Sequence, residues 1–179
     1  MIAVDWPAWI TAFGTVGVVV VALVLAGQES RRARRRDERH QAELITAWVD
    51  EMGFNGDDKP FTRVGIHNAS NQSAYQVISS LVAVQGAWPR EAPQGDERYE
   101  SHYRIFLWQL PPGRWTKRME GGGRAMMIRW GIEIAFQDAA GRYWRRFADG
   151  RLERIKENPV DFYKVSRPIG WEDTVRLPE

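Results

Sequence analysis

Residues 126–138 read MMIRWGIEIAFQD, and their alternation decides the fold. Met126, Ile128, Trp130, Ile132, Ile134 and Phe136 fall on one side, while Arg129, Glu133 and Gln137 fall on the other. A period of two over this length predicts a half-buried strand, one face on a core and one toward solvent. Asp138-Ala139-Ala140-Gly141 follows as a turn, and RYWRRF (142–147) alternates again, so the two segments predict a β-hairpin.

Working upstream, TRVGIHN (62–68) and YQVISSLVAVQG (75–86) predict two further strands around the polar turn ASNQSA. HYRIFLWQL (102–110) predicts another, closed by Pro111-Pro112-Gly113 and followed by WTKRM. Gly121-Gly122-Gly123 lies between strands, not between a strand and a helix, so it predicts a flexible hairpin loop and no phosphate cradle. Strand after strand with turn residues between them predicts an all-β sandwich. Residues 150–179 carry mixed charge and three prolines, and their aromatics Phe162, Tyr163 and Trp171 are expected to pack on the sandwich, with the end from Glu172 mobile.

The first forty residues have another character. From Ala8 to Gly27 there is no charge, and only Thr11 and Thr15 interrupt the apolar run. Such a run, as a helix rising about 1.5 Å per residue, spans about 30 Å, the thickness of a bilayer's hydrocarbon core. Trp6 and Trp9 stand at its N-terminal edge, where interfacial aromatics lie. A cleaved signal peptide carries positive charge before its apolar stretch. Here the leading residues carry Asp5 and no Lys or Arg, and the positive charge comes afterwards at Arg31, Arg32, Arg34, Arg35, Arg36 and Arg39. That order predicts an uncleaved transmembrane helix with its C-terminal flank in the cytoplasm. The same arginines are expected to touch anionic headgroups. A nucleic-acid surface would spread basic residues over a folded face, and the net charge is only +2, so no nucleic-acid partner is expected.

Residues 28–52 contain no Gly or Pro before Met52 and are rich in helix formers, which predicts that the membrane helix continues as a basic juxtamembrane helix. The turn-rich GFNGDDKP (53–60) then predicts a linker. The expected organisation is a short extracytoplasmic N-terminus (1–7), a transmembrane helix (8–27), the basic helix (28–52), the linker (53–60), a β-sandwich domain (61–149) and a C-terminal tail (150–179).

Two resemblances follow from these residues. Val64-x-Ile66-x-Asn68-x-Ser70, Tyr75-x-Val77 and Leu110-Pro-Pro-Gly113 resemble immunoglobulin-like modules, in which a strand-ending Asn begins a turn and a later Leu-x-Pro-Gly precedes a strand. The chain as a whole resembles a set of uncharacterised single-span membrane proteins of actinomycete bacteria. The likeness rests on the arginine-rich flank, Gln41-Ala42-Glu43, Ala47-Trp48-Val49, the Asn68 turn and Ile134-Ala-Phe136-x-Asp138-x-x-Gly141-x-x-Trp144-x-Arg146. It implies an immunoglobulin-like β-domain behind a single span, and no activity.

No catalytic, cofactor-binding or metal-ligating set is legible. There is no Cys, which removes thiolate metal sites, disulfides and a Cys nucleophile. His40, His67 and His102 are far apart without a second ligand at metal spacing. Nine tryptophans are many for 179 residues, and Trp88, Trp108, Trp115 and Trp171 are the candidates for a partner-binding patch. The expected function is therefore a non-enzymatic, membrane-anchored interaction module at the cytoplasmic face, with a membrane or cytoplasmic protein as partner. A membrane-bound hydrolase or carbohydrate-active domain is the alternative, and an envelope-facing wall-binding or adhesion domain would require the reverse topology.

Overall fold

The computed structural model describes residues 39–123 and 127–173, with the backbone of 175 and 176. The expected span 8–27, together with Trp6, Trp9, Arg31, Arg32, Arg34, Arg35 and Arg36, lies outside the described residues, as does Met126. Among the described residues, no helix is long and apolar enough to cross a membrane. Arg39 is exposed, in a helical turn that ends at Glu43 and buries Ala42.

Gln41–Glu179 forms one compact unit of mostly antiparallel β-structure. Its elements are β1 (Ile45–Phe54), β2 (Pro60–Asn68), β3 (Ala74–Gln85), α1 (Glu97–Tyr103), β4 (Arg104–Leu110), β5 (Gly113–Glu120), β6 (Arg129–Gln137), β7 (Tyr143–Arg146), β8 (Leu152–Ile155), α2 (Pro159–Phe162) and β9 (Val175–Arg176). One sheet has the order β1-β2-β5-β9 and the other β4-β3-β6-β7-β8, giving a sandwich-like arrangement. Ile45, Val64, Ile66, Val77, Leu81, Leu107, Ile132, Ile134, Phe136 and Trp144 belong to one buried core cluster, to which both sheets contribute. The alternating face of β6 is thus the inner face of the sandwich.

The juxtamembrane helix expected to reach Met52 does not do so. Residues 45–52, placed in that helix, are the greater part of strand β1, paired antiparallel with β2. The reason is a bulge between Val49 and Glu51. A bulge inserts one residue and shifts the period by one. Ile45, Val49 and Met52 then fall at i, i+4 and i+7, which imitates a helical face, although Ile45 and Ala47 alternate as a strand requires. Of the expected linker 53–60, Gly53 and Phe54 end β1, Pro60 begins β2, and only 55–59 form the turn of the hairpin. Asn55 organises it, its Oδ1 accepting from the N–H of Asp57 at 3.1 Å and of Lys59 at 2.9 Å.

The segment 102–110 is only partly strand, because His102 and Tyr103 close α1, whose N-cap Asp96 accepts from the Tyr99 N–H at 2.9 Å. The C-terminal segment is no tail. β8 extends the five-stranded sheet, α2 covers it, Glu172 bridges to Leu107, and Val175–Arg176 pairs with β5. Gly121–Gly123 is likewise held in place. The Thr62 hydroxyl donates to Gly121 O at 2.9 Å and Trp130 Nε1 to Gly123 O at 3.0 Å. A side chain at Gly122, whose φ is +82°, would collide with Thr62, Leu81 and Met52.

On the outer face of the four-stranded sheet the Trp48 indole lies across its cross-strand neighbour Gly65, so closely that a Cβ there would fall inside the ring's contact distance. Gly65→Ala is expected to lower stability by about 1–3 kcal/mol, as overpacking does. Thermal unfolding checks this. Combination with Trp48→Ala is expected to cost less than the two changes summed, because the clash then has no partner.

Candidate functional site: an outer-face polar network and an aromatic cleft

The five-stranded sheet is buried on both faces. Its outer face carries Ile78, Val82 and Ala135, packed with Tyr99, Val160, Tyr163 and Val165 from the α1 and α2 segments. Glu133, which the alternation assigns to solvent, is fully buried under this layer. Arg145 Nη2 donates to Glu133 Oε2 at 2.8 Å, and the Tyr163 hydroxyl donates to Glu133 Oε1 at 2.5 Å. Arg145 also reaches out to Glu91 at 2.9 Å and Glu153 at 3.3 Å. Burial pulls its guanidinium's pKa down, but the bonds to Glu133 and Glu91 outweigh burial and hold it above the ordinary value. A second buried arginine, Arg104, donates to Ser80 Oγ at 3.1 Å and to the Pro93 carbonyl, and lies over the Tyr163 ring at 4.6 Å. Burial lowers its pKa against the opposing pull of Tyr163 and Glu100.

Two buried phenols complete the network. Burial raises the pKa of Tyr99, whose hydroxyl donates to the Leu81 carbonyl, and raises that of Tyr163, where Glu133 adds to the effect. The unfolded chain's tyrosines lose their protons near pH 10, before these two do in the folded state. Above pH 10 the unfolded state therefore holds fewer protons, and stability falls as pH rises. Urea unfolding is expected to give a constant stability from pH 8 to about 10 and a decline above it, with a shallower decline in Tyr163→Phe.

At the β4 end of the same sheet lies a cleft of about 260 Å³, walled by Gln76, Asn158, Val160, Arg167, Pro168, Ile169 and Trp171. Gln76 has φ +48°, in the left-handed region, where the pairing of β3 with β6 slips between Tyr75 and Ile78. Its Oε1 is buried and has no hydrogen-bond partner among the described residues. Trp108, level with Gln76 on β4, packs edge to face with Trp171, ring centres 5.4 Å apart, and is 53% exposed. The segment that carries Trp171 is pinned to the domain. Glu172 N–H donates to Phe106 O at 2.7 Å, and its carboxylate pairs with Lys117 at 2.7 Å.

Of the four candidate tryptophans, the structure brings Trp108 and Trp171 together and leaves the other two elsewhere. Trp88 is half-buried among Tyr99, Tyr103 and Trp130, with ring centres 6.4, 5.1 and 5.4 Å away. Trp115 packs against the inner core and donates from Nε1 to Pro111 O at 2.9 Å. Neither lines the cleft. Sequence reasoning missed Gln76, because nothing in YQVISS marks a bulge. It also turned Glu133 outward, although an acid flanked by Ile132 and Ile134 and an almost unbroken apolar β3 are signals that both faces are covered. Among the described residues, no group of three or more His, Asp or Glu side chains is arranged to hold a metal ion. Comparison with protein-family models, curated proteins and solved structures gives no match.

Proposed function

We propose that this chain is a membrane-tethered, non-catalytic recognition module, anchored through residues 8–27 and presenting its β-domain to a membrane or cytoplasmic partner. The observation that carries the reading is a charge-free apolar run whose arginines all follow it. By the positive-inside rule that arrangement favours a cytoplasmic C-terminal side. Arg31, Arg32, Arg34, Arg35, Arg36 and Arg39 then serve the bilayer and not nucleic acid, each adding about 1 kcal/mol of attraction to anionic headgroups near the surface. A domain tethered to the bilayer meets membrane components at a raised effective concentration.

We read the sandwich as immunoglobulin-like, in keeping with the motifs that resemble such modules. Asn68 Oδ1 accepts from Ser70 N–H at 3.1 Å, and its Nδ2 donates to Leu110 O at 3.0 Å, so the turn Asn and the residue before Pro111-Pro112-Gly113 are tied together. On the same footing the chain is taken as a relative of the single-span actinomycete proteins it resembles. The recognition face is the cleft beside Trp108 and Trp171.

Fractionation tests the tether. The full chain is expected to stay in the membrane pellet through concentrated salt and alkaline carbonate and to leave it only in detergent. Release by carbonate alone would overturn the proposal.

A further inference from the structure

The turn between β1 and β2 holds a chemistry that recognition does not use. It reads Asn55-Gly56-Asp57-Asp58-Lys59, and all but one of its backbone N–H groups are committed. Asn55 N–H donates to Lys59 O at 2.9 Å and Asp58 N–H to Asn55 O at 3.0 Å, while those of Asp57 and Lys59 converge on Asn55 Oδ1. The N–H left over is that of exposed Gly56, which has no acceptor among the described residues, and Asn55 Nδ2 has none either.

These three conditions fit the parts of one reaction. Two N–H groups drawn onto a carboxamide oxygen polarise its carbon and stand where negative charge gathers when that carbon is attacked, as in an oxyanion hole. Gly56 N belongs to the next residue, so its attack is intramolecular and closes a five-membered ring. Glycine has no side chain to crowd that nitrogen. A Cβ built at Gly56 would meet nothing within 4 Å, so the peptide has room to swing toward Asn55 Cγ. Asn68 supplies the contrast. Its Oδ1 also accepts from two donors, Ser70 N–H at 3.1 Å and Ser70 Oγ at 2.6 Å. There, however, the neighbouring Ala69 N–H is spent on Leu44 O at 2.9 Å, and Nδ2 is spent on the carbonyls of Gln72 and Leu110.

We propose that Asn55 is a self-modification site, where the chain converts its own carboxamide into an aspartyl or isoaspartyl link. Gly56 N gives its proton to water or hydroxide and bonds to Asn55 Cγ. The bond from Cγ to Nδ2 then breaks, Nδ2 takes up a proton and departs as ammonia, and a succinimide remains. Water adds to one of the two ring carbonyls and breaks that carbon's bond to nitrogen. Opening at Cγ leaves an aspartate, and opening at the backbone carbonyl leaves the chain running through the side-chain carbon. Either product adds a negative charge beside Asp57 and Asp58, and the isoaspartyl form puts an extra methylene into the hairpin backbone. The proposal is independent of the membrane reading and holds on either side of a bilayer.

The test incubates the full chain in detergent in mildly alkaline buffer and maps its peptides by mass spectrometry, with electron-transfer fragmentation to tell isoaspartyl from aspartyl links. A mass gain of about one dalton at Asn55 is expected, with isoaspartyl among the products. It is expected to appear about tenfold faster than at Asn68, Asn71 or Asn158, the last of which precedes a proline with no N–H to attack. Gly56→Ala keeps both donors to Oδ1, has space for its methyl group and meets no left-handed φ, so it is expected to fold like wild type. Its methyl group crowds the attacking nitrogen, and its conversion is expected to be about tenfold slower. The folded chain is expected to react at least as fast as the chain in concentrated urea, because only the fold supplies the two donors. Near-UV circular dichroism shows that each protein in buffer is folded. No product at Asn55, an aspartyl product without isoaspartyl, an undiminished rate in folded Gly56→Ala, or a folded rate below that in urea overturns the proposal.

Discussion

Glu133→Ala is expected to destabilise the β-domain by about 3–5 kcal/mol, the usual loss when one partner of a buried ion pair is removed. The change strips the Tyr163 hydroxyl of its acceptor and leaves the buried Arg145 guanidinium with only the exposed carboxylates of Glu91 and Glu153. Urea unfolding followed by far-UV circular dichroism measures it. Glu133→Gln keeps an oxygen for Tyr163 and is expected to lose roughly half as much. The double replacement Glu133→Leu with Arg145→Met is expected to recover most of the loss, because a buried pair exchanged for apolar side chains of similar volume is often neutral. If the single and double variants are equally destabilised, the network is not a balanced pair, and the packing of Arg145 on Phe147 at 4.1 Å is the dominant contact.

The second large effect is expected at the turn between β6 and β7. Asp138 is buried, with Oδ1 accepting from Ala140 N–H at 2.9 Å and Arg142 N–H at 2.8 Å, and Oδ2 accepting from Trp144 Nε1 at 2.9 Å. One side chain thus closes the hairpin and fixes a core indole. Asp138→Ala leaves three donors without this acceptor and is expected to cost about 3 kcal/mol or more, hydrogen bonds to charged groups contributing roughly 1.5–3 kcal/mol each. Asp138→Asn can keep the two turn bonds but sets an amide against the Trp144 N–H, so it is expected to fall between wild type and Asp138→Ala. Thermal unfolding ranks the three proteins, and the near-UV dichroism of Trp144 reports whether the indole has lost its position.

Residues differ in how openly they announce their place. Ile132, Ile134 and Phe136 declare β6 because nothing interrupts their alternation, and Asp138 with Gly141 declares the hairpin. β1 hides, since the bulge at Asp50 turns an alternating pattern into one with helical spacing. Glu133 is concealed differently. Period two separates the faces of a strand but does not say whether a second layer covers the outer one. The segments that cover it, 88–103 and 156–171, hold short helices whose apolar residues are too few for a period. The candidate cleft was half legible. Trp108 and Trp171 stand out by composition, but Gln76 joins the cleft wall where the backbone turns left-handed and the pairing slips, and neither leaves a mark in the residue types.

The proposed cytoplasmic placement of the domain is directly measurable, because the chain has no cysteine. Ile2→Cys precedes the apolar run, and Asp57→Cys lies in the exposed turn between β1 and β2. Intact cells carrying either variant are treated with a bulky membrane-impermeant maleimide, before and after lysis. Labelling of Ile2→Cys in intact cells, and of Asp57→Cys only after lysis, is the expected result. Labelling of Asp57→Cys in intact cells would contradict it and put the domain, with its aromatic cleft, outside the cytoplasm.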